Sequence, residues 1–135
     1  MAEVIATWEG GYHCRVRARE FEIDADEPPT AGGQDKGPTP TELFLASLAA
    51  CFTMALYYVA RKRDITLPAF DVAVSGKYDG PRFSRLRVEV RPSSDVDTFA
   101  ELLEPALTVC YVSNTVRNPV TLEVAAGEQV IVSHG

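Results

Sequence analysis

The fold is decided by residues 39–60, TPTELFLASLAACFTMALYYVA, which predict one long helix. Thr39 and Glu42 have the spacing of a capping box, and Pro40 stands at the first helical position, where a proline is tolerated. Basic side chains follow the apolar run and favour its C-terminal end. They are Arg61, Lys62 and Arg63. Because apolar residues go right around this helix, we expect it to be covered on all faces.

The uncharged stretch from Leu43 to Ala60 is 18 residues long, which is the lower limit for a membrane span. It is rich in alanine, which transfers only weakly into lipid, and the chain around it has the pattern of mixed strands. We therefore predict a buried helix and no membrane association.

Alternating apolar residues and turn signals place strands on both sides of this helix. The predicted strands are 4–8, 12–17, 21–24, 70–78, 83–91, 120–124 and 130–133. Residues 26–38 contain three prolines and three glycines and predict a long loop without structure of its own. A second helix is expected to be capped by Ser94 and to reach about Leu107, with Pro105 kinking or ending it. The order of elements predicts a single α+β domain over residues 1–135.

Composition and charge exclude several classes of protein. The 135 residues carry a net charge of −6 with a pI near 4.9, which is the wrong sign for a nucleic-acid-binding surface. Three cysteines without a CxxC pair argue against a disulfide framework or a zinc site. No signal peptide is visible at the start of the chain, so we expect a cytoplasmic protein. We also expect that it needs no metal and no cofactor.

Two segments that contain cysteine resemble the signatures of the OsmC/Ohr family. Residues 37–51, GPTPTELFLASLAAC, resemble the first signature, and residues 110–116, CYVSNTV, resemble the second. Asp26-Glu27-Pro28 followed by Gly32-Gly33 resembles the loop that precedes the first signature in OsmC-like members. The resemblance covers nearly the whole chain and is greater to the OsmC-like branch than to the Ohr branch.

The resemblance implies an OsmC-like fold, with antiparallel sheets around a long central helix and an intertwined homodimer. It also implies a thiol peroxidase in stress defence that reduces organic hydroperoxides. Cys51 would become a sulfenic acid, Cys110 would resolve it as a disulfide, and a dithiol reductant, such as a dihydrolipoyl group, would restore the thiols.

The chain departs from the family pattern at two positions. Gly10-Gly11 is followed by Tyr12-His13, where the Ohr branch has its catalytic arginine. The family's glutamate lies ten residues before the first cysteine, and that position is Thr41 here, with Glu42 next to it. Glu42 can serve as the helix cap or orient an arginine. It lies about 13 Å and half a turn away from Cys51 on a straight helix, so a catalytic role requires a broken helix or the partner chain.

A peroxidatic thiol needs a nearby positive charge to populate its thiolate. Cys51 is three turns inside the predicted helix, too far for the helix dipole, so a side-chain cation is required. The candidates are Arg15, Arg17, Arg19 and Lys36. We rank Arg19 first because it is nearest to the 26–38 loop in the sequence.

Two other functions remain open from the sequence. One is a binding or stress protein of the same fold with little or no peroxidase turnover. The other is a Cys–His hydrolase, which is the weakest because the only histidines are His13 and His134, and His134 lies next to the end of the chain.

Overall fold

The computed structural model describes residues 1–118 and 120–134. It is an α+β structure with antiparallel strands, as predicted, and its described residues form three α-helices where two were expected. The chain groups into two compact units, residues 1–46 and 47–135. A single helix, α1, begins in the first unit and continues into the second.

The first unit is built on a three-stranded antiparallel sheet in the order β1-β2-β3. Its strands are β1 (Ile5–Gly10), β2 (His13–Ala18) and β3 (Phe21–Ala25), each within two residues of its predicted bounds. Gly10 and Gly11 join β1 to β2 with positive φ angles, which glycine adopts without strain. The predicted hairpin between β1 and β2 is therefore present, with its turn at Gly10 and Gly11.

The loop over residues 26–38 is more ordered than the sequence indicates. It contains a short 3₁₀ turn at Pro29–Ala31. The Asp26 carboxylate is buried and accepts the backbone N–H groups of Glu27, Gln34 and Lys36 at 2.8, 3.3 and 3.2 Å. The prediction of a loop without structure is wrong, because one buried carboxylate satisfies three backbone donors.

Helix α1 spans Pro40–Lys62, and its predicted capping box is confirmed. The Thr39 N–H donates to Glu42 Oε1 at 2.9 Å, and the Glu42 N–H donates to Thr39 Oγ1 at 3.2 Å. This reciprocal pair satisfies two N–H groups that have no partner within the helix. Arg61 and Lys62 lie in the last turn, as expected, whereas Arg63 follows the end of the helix.

The second unit contains the rest of α1, two antiparallel hairpins and two further helices. These elements are β4 (Phe70–Asp79), β5 (Arg82–Pro92), α2 (Val96–Val109), α3 (Tyr111–Arg117), β6 (Leu122–Ala126) and β7 (Gln129–Ser133). The predicted strands are present with small shifts in their bounds.

The second half of the chain corrects three predictions. Asp95, not Ser94, is the N-cap residue of α2, and it adopts a left-handed conformation with φ 58°. Pro105 lies inside the helix and does not end it, since the helix continues to Val109; a kink at Pro105 stays a prediction. Residues 111–117 form α3, a helix that the sequence analysis did not predict.

The core of the second unit lies between α1, α2 and the β4–β5 hairpin. One face of α1 supplies most of it, and Leu102, Ala106 and Cys110 complete it. The buried residues of α1 are Leu48, Phe52, Ala55, Leu56, Val59 and Ala60. By length and composition α1 could cross a membrane, and one face of it, about a third of its apolar window, packs in this core. Met54 and Tyr57, on its other faces, are exposed in the single chain.

Candidate active site

Cys51 and Cys110 come together in the second unit. Cys51 lies in the middle of α1, and Cys110 lies at the junction between α2 and α3. Both residues are free cysteines, and Cys51 packs against the hydrophobic cluster that contains Cys110. The structure thus brings together the two cysteines that the sequence singled out.

The two thiols differ in their access to solvent. Cys110 is completely buried, with 0% of its surface exposed. Cys51 is half-buried and lines a cleft of about 600 Å³ in the second unit. The other lining residues are Met54, Ala55, Tyr58, Thr108, Val109, Tyr111 and Asn114. A small molecule that enters this cleft therefore meets Cys51 before Cys110.

The α2–α3 junction is held by side chains of α3 that bind carbonyl groups at the end of α2. Asn114 donates its side-chain N–H to the Thr108 carbonyl at 2.9 Å. Arg117 donates to the Leu107 carbonyl at 3.3 Å and to the Asn114 side-chain oxygen at 2.6 Å. The carbonyls at the C-terminal end of a helix lack partners within the helix, so these bonds fix the turn that contains Cys110.

Ser113 belongs to the same junction but faces inward. Its side chain is buried, and its hydroxyl lies 3.1 Å from the Cys110 carbonyl oxygen and 3.5 Å from the Leu107 carbonyl oxygen. One hydroxyl proton therefore has two carbonyl acceptors around it.

The pKa of the Cys110 thiol lies below its ordinary value. Burial by itself raises this pKa, because it disfavours the thiolate. The hydroxyl and backbone N–H of Ser113, the Cys51 thiol and the backbone N–H of Val112 outweigh burial, because each can donate to the thiolate. The buried cysteine is thus the thiol whose anionic form its surroundings favour.

The lining of the cleft is uncharged in the part of the second unit that the structure describes. The side chains around Cys51 there are apolar or neutral polar groups, which include Thr108, Tyr111 and Asn114. This composition suits a neutral, partly apolar ligand. The cation that the sequence analysis requires for Cys51 stays a prediction.

Glu42 has the capping contacts described above. The backbone N–H and then the hydroxyl of Thr39 hold the pKa of the Glu42 carboxyl below its usual range. Its carboxylate is therefore engaged at the start of α1. The orienting role that the sequence analysis left open for Glu42 stays a prediction.

Arg19 lies in the tight turn between β2 and β3, with a positive φ of 54°. Its exposed guanidinium is 3.7 Å from the Glu20 carboxylate and sits over the Phe21 ring at 5.0 Å from the ring centroid. Arg15 lies within 4.0 Å of three carboxylates, those of Glu9, Glu22 and Asp24. Both arginines make ion pairs within the first unit, and their role toward Cys51 stays a prediction.

The polar partners of the two histidines are a carboxylate and a hydroxyl group. His13 Nε2 is 2.8 Å from the Asp24 carboxylate, and the His134 ring is 3.4 Å from the Thr121 hydroxyl. This hydrogen bond from His13 is the main reason why the pKa of Asp24 is lowered. Residues 1–118 and 120–134 contain no cluster of three or more His, Cys, Asp and Glu side chains that could hold a metal ion.

Three residues that shape the site were missed from the sequence, namely Ser113, Asn114 and Arg117. Their spacing of i, i+1 and i+4 would have placed them on neighbouring positions of a helix. That helix was not predicted, because seven residues with two β-branched valines and a threonine carry a weak helical signal. The weak helical signal of α3 is therefore what hid these three residues.

Comparisons with known proteins agree with this fold. A family profile described as "OsmC-like protein" matches residues 33–125. An uncharacterised protein of Acinetobacter baylyi is 31% identical over 109 residues, which cover 76% of each chain.

Two solved structures are similar over most of their length. One is a candidate osmotic stress induced and detoxification response protein from Psychrobacter arcticus, with a TM-score of 0.72, 23% identity and coverage of 85% of this chain and 88% of that one. The other is an organic hydroperoxide resistance protein from Elizabethkingia anophelis with bound thiocyanate, with a TM-score of 0.65, 28% identity and coverage of 87% and 89%. The chain belongs to the OsmC-like family of proteins, and its fold is the OsmC fold.

Proposed function

We propose that the chain is a thiol-dependent peroxidase that reduces organic hydroperoxides in stress defence. One observation carries the proposal: a cysteine that lines an open cleft packs against the hydrophobic cluster that contains a second, fully buried cysteine. Under this proposal Cys51 attacks the peroxide and becomes a sulfenic acid, and Cys110 then forms a disulfide with it. The name of the Elizabethkingia relative, an organic hydroperoxide resistance protein, supports the same reaction class.

The first step uses the access of Cys51 to the cleft. Its thiolate sulfur attacks the terminal peroxide oxygen, the O–O bond breaks, and the alkoxide leaves and takes up a proton to become an alcohol. Sulfur is oxidised to a sulfenic acid, and the peroxide is reduced by two electrons. An arginine near Cys51 would stabilise both the thiolate and the leaving oxyanion, and Arg19 is our first candidate for that role.

The second step uses the second, buried cysteine. The Cys110 thiolate attacks the Cys51 sulfur, an S–S bond forms, the S–O bond breaks, and hydroxide leaves and is protonated to water. An external dithiol, such as a dihydrolipoyl group, then reduces the disulfide to two thiols and is itself oxidised. Burial of Cys110 protects it from the peroxide, so the order of oxidation follows from access.

The cleft favours an organic substrate over hydrogen peroxide. Met54, Tyr58 and Val109 offer apolar contact to the organic part of the substrate, while no such contact helps hydrogen peroxide. We propose that the protein acts in the cytoplasm as a homodimer, with residues 1–135 as one functional domain.

Free-thiol titration tests the proposal. The reduced protein is treated with one equivalent of tert-butyl hydroperoxide, and its thiols are counted before and after. We expect a loss of two thiols per chain, recovered by dihydrolipoamide. The same titration on Cys14→Ser, which changes the cysteine in β2 of the first unit, should also lose two thiols. No loss of thiols would instead favour a binding or stress protein of the same fold.

A further inference from the structure

One carboxamide side chain, that of Asn114 on α3, lines the cleft beside Cys51 in the described part of the chain. Its amide N–H donates to the Thr108 carbonyl at 2.9 Å, and its side-chain oxygen accepts from the Arg117 guanidinium at 2.6 Å. These contacts fix which end of the carboxamide is which, because a guanidinium can only donate and a carbonyl can only accept. The orientation of the half-buried Asn114 side chain is therefore determined by its partners.

One of the two N–H groups of this amide is available to a ligand. A carboxamide nitrogen carries two donors, and the Thr108 carbonyl accepts from one of them. Within residues 1–118 and 120–134, no protein group accepts from the second donor. Because Asn114 and Cys51 line the same cleft, a molecule bound there meets both the sulfur and this amide.

Arg117 makes this amide a stronger donor than an isolated carboxamide. The guanidinium carries a full positive charge, and its short bond to the Asn114 oxygen draws electron density away from the amide nitrogen. Hydrogen bonds that are linked in a chain polarise one another in this way. Arg117 also donates to the Leu107 carbonyl at 3.3 Å, which holds the guanidinium at the end of α2. A positive charge thus acts on the cleft through Asn114, although the lining itself is uncharged.

We propose that Asn114 is a catalytic hydrogen-bond donor in the reduction of the peroxide, and that Arg117 is the positioning residue that orients and polarises it. This inference rests on the proposed function. When the Cys51 thiolate attacks the terminal oxygen, the O–O bond breaks and negative charge moves to the alkoxide oxygen. The second Asn114 N–H donates to that oxygen as the charge develops. The alkoxide then takes a proton from water and leaves as an alcohol, so Asn114 itself is unchanged.

The other neutral polar groups of the cleft are less suited to this role. The Thr108 hydroxyl donates to the Glu104 carbonyl at 3.0 Å. Tyr111 is 84% exposed and Tyr58 is 50% exposed, so holding either hydroxyl beside the sulfur would cost side-chain conformational freedom. Asn114 is held by two hydrogen bonds before a substrate arrives, and a donor that is already in place costs no reorganisation during the reaction.

The test compares two oxidants whose leaving groups differ. In a Cys14→Ser Cys110→Ser background, Cys51 is the only cysteine, and the rate of its single oxidation is followed by intact mass. tert-Butyl hydroperoxide releases a strongly basic alkoxide, whereas peracetic acid releases acetate, a weak base that needs little help to leave. Asn114→Ala should slow the reaction with tert-butyl hydroperoxide about 100-fold, and the reaction with peracetic acid much less.

Two controls separate this role from a structural one. Alkylation of Cys51 by iodoacetamide develops no charge on oxygen, so its rate should be the same in Asn114→Ala and the parent. Thr115→Val removes a hydroxyl of the same helix that donates to the Tyr111 carbonyl at 2.8 Å, and it should leave the rates with both oxidants unchanged. Arg117→Met should lose part of the rate with tert-butyl hydroperoxide, and Arg117→Lys, which keeps a cationic donor, should retain more of it.

An equal loss with both oxidants, or a matching loss of alkylation rate, would overturn the inference, because the change would then act on the thiolate or on access. If Asn114→Ala does not fold, the two Arg117 variants make the same comparison, and equal rates with tert-butyl hydroperoxide would overturn it. A parent that reacts with neither oxidant would contradict the peroxidase and this role together. A reactive parent beside an equally fast Asn114→Ala would contradict the role of Asn114 alone.

Discussion

Cys51 and Cys110 are 59 positions apart in the sequence, yet Cys51 packs against the hydrophobic cluster of the second unit that contains Cys110. One of the two is open to a cleft, and the other has no exposed surface. This asymmetry assigns them different places in any two-thiol reaction, because only an accessible sulfur can meet a substrate first.

Replacing each cysteine should stop the reaction at a different stage. Cys51→Ser should abolish consumption of tert-butyl hydroperoxide. Cys110→Ser should react once and then accumulate Cys51 as sulfinic or sulfonic acid, because no second thiol traps the sulfenic acid. Intact-mass spectrometry measures the added oxygen atoms, with Cys14→Ser as the unaffected control. Normal turnover of Cys110→Ser with a monothiol, without over-oxidised mass, would show that the resolving role is wrong or dispensable.

An arginine should activate Cys51 toward peroxide, because a cation beside the sulfur stabilises both the thiolate and the leaving oxyanion. In a Cys14→Ser Cys110→Ser background, the rate of the single reaction with tert-butyl hydroperoxide is measured. Among the single changes Arg15→Ala, Arg17→Ala and Arg19→Ala, we expect one alone to slow this reaction about 100-fold, with Arg19 first. Arg85→Ala, on β5, serves as a control. If none of the three slows the reaction, Lys36→Ala tests the remaining candidate and our ranking is wrong.

The helices and the cysteine pair could be predicted from the sequence to different degrees, for physical reasons. The α1 helix was predictable in full because its cap, its apolar run and its basic end agree along one continuous segment. The α3 helix was not, because it is short and is stabilised by bonds from Asn114 and Arg117 to the end of α2, a contact that local propensity does not contain. The pairing of Cys51 with Cys110 is likewise a tertiary contact, and only the two resembling signatures pointed to it.

The order in the 26–38 loop was hidden for a similar reason. Prolines and glycines indicate a loop, but they do not reveal that Asp26 turns inward and collects three backbone N–H groups. Desolvation raises the pKa of Asp26, and the N–H groups of Glu27, Lys36 and Gln34 lower it further than burial raises it, so the folded pKa is below the ordinary one.

Asp26→Asn should therefore lower stability in a pH-dependent way. A carboxyl whose pKa is depressed in the folded state stabilises the fold above its unfolded pKa of about 3.9, and this contribution is lost as the pH falls through the folded pKa. Melting temperatures of parent and variant should differ at pH 7 and converge below about pH 4. Asp79→Asn, which removes an exposed ion pair with Arg82 at 3.6 Å, should cost less than about 1 kcal/mol. A constant gap between Asp26→Asn and its parent across this range would contradict the role of the charge.

Gly33 lies so close to the backbone that no side chain fits. A Cβ atom there would overlap the Glu27 carbonyl and lie 2.8 Å from the Asp26 carboxylate. Gly33→Ala should therefore destabilise the first unit by about 1–3 kcal/mol, in the range of other overpacked sites. Urea unfolding followed by Trp8 fluorescence measures this change. Thr30→Ala, in the exposed 3₁₀ turn of the same loop, is the control and should stay within about 0.5 kcal/mol of the parent. A Gly33→Ala protein as stable as the parent would mean that the loop can open without cost.

The β6–β7 hairpin argues for a homodimer. All ten of its residues are exposed in the single chain, and Val124 pairs with Ile131 on one face of the two strands. A two-stranded hairpin is marginally stable alone, and an exposed apolar patch of this kind marks an interface. Together with the exposed Tyr57 of α1, it offers apolar surface that a two-fold dimer would bury.

Light scattering at micromolar concentration should give about twice the 14.7 kDa chain mass, in line with the two-fold closure expected for such surfaces. The change Val124→Lys together with Ile131→Glu should shift the protein toward the monomer, because burying these charges at an apolar interface costs several kcal/mol. Glu123→Gln, on the opposite face of β6, should leave the dimer intact. If the parent protein gives a clean monomer mass with peroxidase activity retained, the dimer is wrong, and Glu42 keeps only its capping role because no partner chain can bring it to a second Cys51.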